Sequence, residues 1–170
     1  RSIPFEVLEE TIGGYAFDTK IEGTEYRKLR ISMIGMHQVA NAICALTVLE
    51  VLKKENIVKI ERKKIYDGFV KARQTGRFEI LRREPYMIID GAHNEAGAEA
   101  LAAAVRGLFP DRRILMVVGM LADKKIDRLL EKFGRITQDF VATEPDNPRK
   151  LSAVDLCDQI RRAGMKGIAV

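Results

Sequence analysis

Three observations predict an α/β protein. Three short apolar runs, YMIID, ILMVVG and DFVAT, are separated by segments with helical spacing. One of those segments sets Ile126, Leu129, Leu130, Phe133 and Ile136 on a single stripe, the i, i+3, i+4, i+7 pattern of an amphipathic helix. The first run also closes on Asp90-Gly91, a charged residue followed by one that permits a sharp turn. Strands that alternate with helices build a parallel sheet wrapped by helices, with right-handed crossovers and ligands at the carboxyl ends of the strands.

The chain has two regimes, and they meet near Gln74 to Gly76. From Arg1 to Gly35 the pattern is short and β-like. YAFDTKIEGTEYRKLRISMIG predicts a hairpin about Glu22-Gly23-Thr24, with Leu29, Ile31 and Met33 on one face. HQVANAICALTVLEVLKKE is apolar on most sides, as expected of a buried helix. In ERKKIYDGFVKARQ a further helix carries Ile65, Phe69 and Ala72 on one stripe. After TGRFEILRREP the strand and helix alternation begins. Ser152 is placed to N-cap the last helix, with Asp155 in its first turn, and a strand starts near Gly167.

Composition excludes several classes. With 170 residues, 46% apolar and 31% charged, the chain is long enough for one good core and is not a disordered segment. Its longest apolar runs fall short of the roughly 20 residues of a membrane span. RSIPFEVLEE lacks the residue order of a signal peptide. Cys44 and Cys157 have no CxxC spacing and read as reduced core residues, so a cytoplasmic setting is expected. The net charge of +5 is spread over short basic runs with few aromatics, which argues against a nucleic-acid platform and for mild attraction of an anionic ligand.

Polar clusters mark the expected site. Asp90 is positioned to accept hydrogen bonds from sugar hydroxyls, while His93 and the start of the next helix can donate to a phosphate or carboxylate. The alternative is structural, with Asp90 and Asn94 capping that helix and His93 an exposed loop residue. The two histidines of the chain, His37 and His93, each lie in a polar cluster that opens a predicted helix, GMHQVANA and DGAHNEAG. In TGRFEI, Arg77 stands at the junction of the two regimes, where a guanidinium suits phosphate oxygens. Together these clusters predict a nucleotide cleft. No GxGxxG follows a predicted strand, which excludes a dinucleotide-binding dehydrogenase.

The ordered set GMHQVANAICAL, GRFE, DGAHNEAG, GMLADKK and TEPDNPRKL resembles the folylpolyglutamate synthase and dihydrofolate synthase family of the Mur ligase superfamily. The resemblance implies that residues 1–75 are the end of a central P-loop-type ATPase domain and that 76–170 are most of a Rossmann-like carboxyl-terminal domain. It implies an ATP-dependent ligase that joins L-glutamate to a folate or a dihydropteroate. ATP phosphorylates the carboxylate, giving an acyl phosphate that the glutamate amine attacks, with Mg2+ assisting the transfer. Carried over by position, His37 and Asn41 lie by the adenine, Arg77 by the phosphates and Asp90 by the ribose, while His93 faces the phosphate and the incoming glutamate. A monomer is implied.

Structural roles compete with these assignments. His37 and Asn41 could serve a helix end or the core, and Arg77 a salt bridge to Glu79 or a helix end. Lys124 and Lys125 read as a solvated helix start, and Arg149 as a possible substrate-side cation. Glu95 departs from the family, which usually has Pro after the Asn. The sequence has no GxxxxGK[ST], so the phosphate loop and the metal ligands are expected outside it, and the chain is expected to be a fragment without activity of its own. The alternative is a stand-alone nucleotide-binding or interaction module.

Overall fold

A computed structural model describes residues 3–170, which divide into two compact units, one ending at Asp90 and the other beginning at Gly91. In the first, β1 (Phe5–Thr11), β2 (Gly14–Ile21) and β3 (Thr24–Ile31) form an antiparallel meander in the order β1-β2-β3. The expected hairpin is therefore the second half of a three-stranded sheet. Its turn places Glu22 and Gly23 at φ 48° and 85°, the left-handed pair that matches the twist of the flanking strands. A bulge then changes the facing of β3. The register shifts between Phe17 and Thr19, Lys28 takes φ 52°, and its N–H donates to Asp18 Oδ1 at 2.6 Å. Tyr26 before the bulge and Leu29 and Ile31 after it are consequently all buried, although strict alternation would split them.

Helix α1 (Met36–Lys54) buries Val39, Ala42, Ile43 and Leu46 in the same core, together with Gln38 and Glu50. It is not buried on all sides, as its composition predicts. Cys44, Val48 and Val51 are exposed, and Cys44 is thus not a core residue, whereas Cys157 is. The reason is geometric: the sheet covers one stripe of a helix, and small or apolar residues elsewhere on the surface carry no signal of their facing. Helix α2 (Arg62–Lys71) adds Ile65 to the core and holds the Arg62 guanidinium over the rings of Tyr26 and Tyr66, at 5.4 and 5.7 Å from their centroids.

Glu50 ties α1 to the sheet. It accepts hydrogen bonds from Tyr26 Oη (2.5 Å), Thr24 Oγ1 (2.9 Å) and Lys53 Nζ (2.6 Å). Burial raises its pKa, but these donors outweigh that effect and hold the carboxyl below its ordinary range. Burial, with the neighbouring Glu50 carboxylate, pushes the Tyr26 phenol up, so the pair keeps its proton on the tyrosine.

The run YMIID departs from its expected place. β5 (Tyr86–Ile89) pairs antiparallel with β4 (Glu79–Arg83) as a two-stranded hairpin, with Glu79 opposite Ile89. An apolar run of this length specifies a strand but not its partner.

The second unit carries the parallel sheet. β6 (Leu115–Gly119), β7 (Asp139–Thr143) and β8 (Lys166–Ala169) lie in that order. Three helices accompany them: α3 (Glu95–Leu108), α4 (Ile126–Phe133) and α5 (Ala153–Arg162). Ile126, Leu129, Leu130 and Phe133 of α4 meet Phe140, Leu156 and Ile160 in the core, and Ile136, past the end of the helix, packs against it. Burial of each such side chain is worth about 1.5–3 kcal/mol. Ser152 caps α5 by accepting from the Asp155 N–H at 3.1 Å, as its sequence predicts.

Candidate functional site

In the first unit the site is built at the start of α1. Gly35 precedes the helix at φ 106°, a conformation that favours glycine. A Cβ at this position would lie 2.6 Å from His37 Cε1, so the imidazole sits directly on the glycine backbone. His37 Nε2 is 3.0 Å from the Gln38 side-chain nitrogen, and Gln38 Oε1 accepts from Asn41 Nδ2 at 3.2 Å. An amide nitrogen only donates, so His37 accepts at Nε2 and carries its ring proton on Nδ1. His37 and Asn41 are both exposed, while Gln38 is 3% exposed. Neither a helix cap nor a core position describes the two exposed residues: α1 has no side-chain cap.

Arg77 and Asp90 belong to the same neighbourhood. Although the residue is exposed, partial desolvation of its ring by neighbouring atoms lowers the His37 pKa most; Asp90 raises it by its negative charge and Arg77 lowers it by its positive one. The ring is therefore neutral at pH 7. Asp90 does not cap a helix, as the structural alternative for it supposes. Its Oδ2 accepts the backbone N–H of Phe78 at 2.8 Å, and Phe78 is a buried residue at φ 45°. The Glu79 carboxylate accepts the Gly76 N–H at 2.8 Å. These two carboxylates clamp the GRFE turn from either side and set the position of half-buried Arg77.

In the second unit, His93 precedes α3. Its Nδ1 is 2.8 Å from the Gly91 carbonyl, which can only accept, so Nδ1 donates this bond and Nε2 takes no part in it. Asn94 is the N-cap of α3, its Oδ1 accepting from the Gly97 N–H at 2.8 Å. Glu95 is then the first helical residue, where an acidic side chain suits the helix dipole. That explains why the position tolerates a residue other than Pro, which is also favoured there.

His93, Asn94, Glu95 and Ala96 line one side of an open groove of about 570 Å³, and Asp123, Lys124, Lys125 and Leu129 line the other. The groove joins a helix N-terminus and two lysines, groups that suit an anion, to the carboxylates of Glu95 and Asp123, so its charge is mixed. Lys124 is half-buried and Lys125 starts α4. Arg149 is paired with Asp123 at 3.0 Å, and its carbonyl accepts the Ala122 N–H, so it braces the loop that forms the lysine side. Among the described residues no group of three His, Cys, Asp or Glu side chains could hold a metal ion. No helix among them is long and apolar enough to cross a membrane.

Sequence reasoning missed Gln38, which joins His37 to Asn41. The signal was present: a polar residue on the stripe that also holds Ala42 and Leu46 is buried for a reason.

A strand and helix unit with a capped helix beside a polar groove is an α/β architecture with a candidate ligand site, and residues 76–170 match the Mur ligase, glutamate ligase domain. The chain belongs to that family. More particularly, it is 37% identical over 145 residues to a dihydrofolate synthase/folylpolyglutamate synthase of Bacillus subtilis (strain 168), covering 85% of this chain and 34% of the relative. It superposes with a TM-score of 0.86 on the Mycobacterium tuberculosis folylpolyglutamate synthase complexed with ADP and AMPPCP, at 29% identity over 98% of this chain and 38% of that one. The Thermotoga maritima folylpolyglutamate synthase gives 0.85 at 28% identity, covering 100% and 39% of the two chains. The chain thus spans about a third of the length of the curated relatives it matches.

Proposed function

We propose that this chain is part of an ATP-dependent ligase that adds L-glutamate to a folate, to a dihydropteroate, or to both, through an acyl-phosphate intermediate. The observation that carries the reading is the placement of His37 within electrostatic reach of both Arg77 and Asp90, whose carboxylate also anchors the turn that holds Arg77. Family membership and the names of the relatives point the same way.

In this reading residues 1–75 end a nucleotide-binding ATPase domain and 76–170 form most of the glutamate ligase domain. His37 and Asn41 meet the adenine, Asp90 the ribose and Arg77 the phosphates. His93 acts at the acyl phosphate and the amine: its Nε2 is suited to take a proton from the glutamate ammonium, which frees the amine to attack the acyl carbon and expel phosphate. The carboxylate needs activation because it has no good leaving group, and phosphorylation supplies one. Mg2+ serves the phosphoryl transfer, with its ligands coming from outside this chain. The enzyme works in the cytoplasm as a monomer, without nucleic acid or membrane.

The test joins this chain, in aligned register, to the remaining two thirds of the Bacillus subtilis relative and measures ATP- and folate-dependent incorporation of L-glutamate. Incorporation is expected, and His93→Ala lowers turnover and raises the glutamate KM while ADP affinity stays unchanged. A folded chimera that incorporates no glutamate, or an H93A chimera with unaltered kinetics, refutes the reading.

A further inference from the structure

The amide of Gln38 is bonded on both sides by groups that themselves face solvent. It is 3% exposed, its nitrogen lies 3.0 Å from His37 Nε2, and its oxygen accepts from Asn41 Nδ2 at 3.2 Å. Its orientation is therefore coupled at one end to the His37 tautomer and at the other to the Asn41 amide. Asn41 is an exposed amide, free to turn over if nothing held it, because its two ends are nearly equal in shape. Gln38 removes that freedom. It commits one hydrogen of Asn41 Nδ2 and leaves Oδ1 together with the second Nδ2 hydrogen to a ligand.

One acceptor beside one donor is the complement of adenine, which offers the N6 amino group as donor next to a ring nitrogen as acceptor. Guanine offers the reverse on its N1–H and O6 edge and two acceptors on its N7 and O6 edge. Against the fixed Asn41, the guanine O6 meets Oδ1, acceptor to acceptor. Turned over, the same amide would match the N1–H and O6 edge of guanine.

We infer that Gln38 is the positioning residue that sets purine selectivity, holding Asn41 in the orientation that accepts adenine nucleotides and rejects guanine nucleotides. The inference rests on the reading of this site as a nucleotide site, and it assigns to Gln38 the direction of that site. His37 is the other anchor. Its ring lies against Gly35, where a Cβ would lie 2.8 Å from Nδ1, so the missing side chain at this glycine is what admits the imidazole beside Gln38.

Two variants separate the anchors. Gln38→Leu has neither donor nor acceptor and frees Asn41. Gln38→Glu keeps an acceptor for Asn41 Nδ2 but has no donor for His37, so it preserves the orientation of Asn41 while drawing a proton onto His37 Nε2. The experiment follows the His37 imidazole resonances by NMR during titration with ADP and with GDP, in the chimera that joins this chain to the remaining two thirds of the Bacillus subtilis relative. Wild type is expected to bind ADP at least about tenfold more tightly than GDP, the discrimination typical of one well-placed bidentate amide contact. Gln38→Leu is expected to bring the two affinities close together. Gln38→Glu should keep the ADP preference and raise the His37 pKa, a split that a merely structural residue would not produce.

A preference for ADP that survives in Gln38→Leu with Asn41 intact overturns the inference, as does a wild-type His37 whose proton resides on Nε2. Equal shifts with ADP and GDP in wild type overturn it as well and leave nucleotide binding standing. No shift with either nucleotide overturns both the selectivity and the reading of this cluster as a nucleotide site.

Discussion

Replacing Asp90 by Asn and by Ala separates its two structural effects. In the wild type its carboxylate accepts the Phe78 N–H at 2.8 Å and supports a buried non-glycine residue at φ 45°. A hydrogen bond to a charged acceptor contributes about 1.5–3 kcal/mol and a neutral one about 0.5–1.5 kcal/mol. Asparagine keeps an acceptor of the same shape, so Asp90→Asn should cost only about 1 kcal/mol. Alanine leaves the Phe78 N–H without this partner and removes the support of a left-handed residue, so Asp90→Ala should cost about 2–3 kcal/mol. The chain has no tryptophan, and urea unfolding followed by far-ultraviolet circular dichroism is the suitable measurement. The second effect is electrostatic. The Asp90 charge raises the His37 pKa against the larger lowering effect of partial desolvation. Its loss should lower that pKa further in the Asn variant, read by NMR titration of the imidazole. Equal destabilisation by Asn and Ala, or a His37 pKa that rises in Asp90→Asn, would refute this account of the turn.

Glu50→Gln should destabilise the first unit by about 2–3 kcal/mol in urea, because the buried Tyr26 and half-buried Lys53 donors lose a shared anionic acceptor. In that background Tyr26→Phe should add little, and full additivity would show that the two are not coupled. The Glu50 carboxyl is held below its ordinary value of 4.5, so the unfolded chain takes up the proton first on acidification. The stability it contributes above pH 4.5 should be lost as pH falls through the lower folded value, and Glu50→Gln should flatten that limb. Limited trypsin digestion should cut first between Arg73 and Arg77, around the exposed Gln74 and Thr75; first cleavage within β6 would contradict a domain junction there.

What the sequence makes legible is local. The α4 stripe from Ile126 to Phe133 and the cap at Ser152 are written in neighbouring residues and stand as read, and Asn94 caps α3 as the structural alternative supposes. β1 escaped notice because FEVLEET carries four polar residues and is exposed along nearly its whole length, so no apolar alternation marks it. The bulge at Lys28 depends on a carboxylate ten residues earlier, and the Asp90 bond to Phe78 spans twelve. Such pairings are invisible to periodicity. The same holds at the site. His37, Arg77, Asp90 and His93 drew attention as polar clusters at element ends, whereas Gln38 was hidden inside an apolar helix and emerged only when its two bonds were in view.

The exposed stripe of α1 offers a practical opening. Cys44 lies on it and Cys157 is buried, so a thiol-reactive dye at neutral pH should attach at a single place among the two cysteines. That place is three residues beyond Asn41, a rise of about 4.5 Å along the helix. A fluorophore there becomes a spectroscopic reporter beside the His37, Gln38 and Asn41 cluster, able to register an arriving base without any assay of turnover.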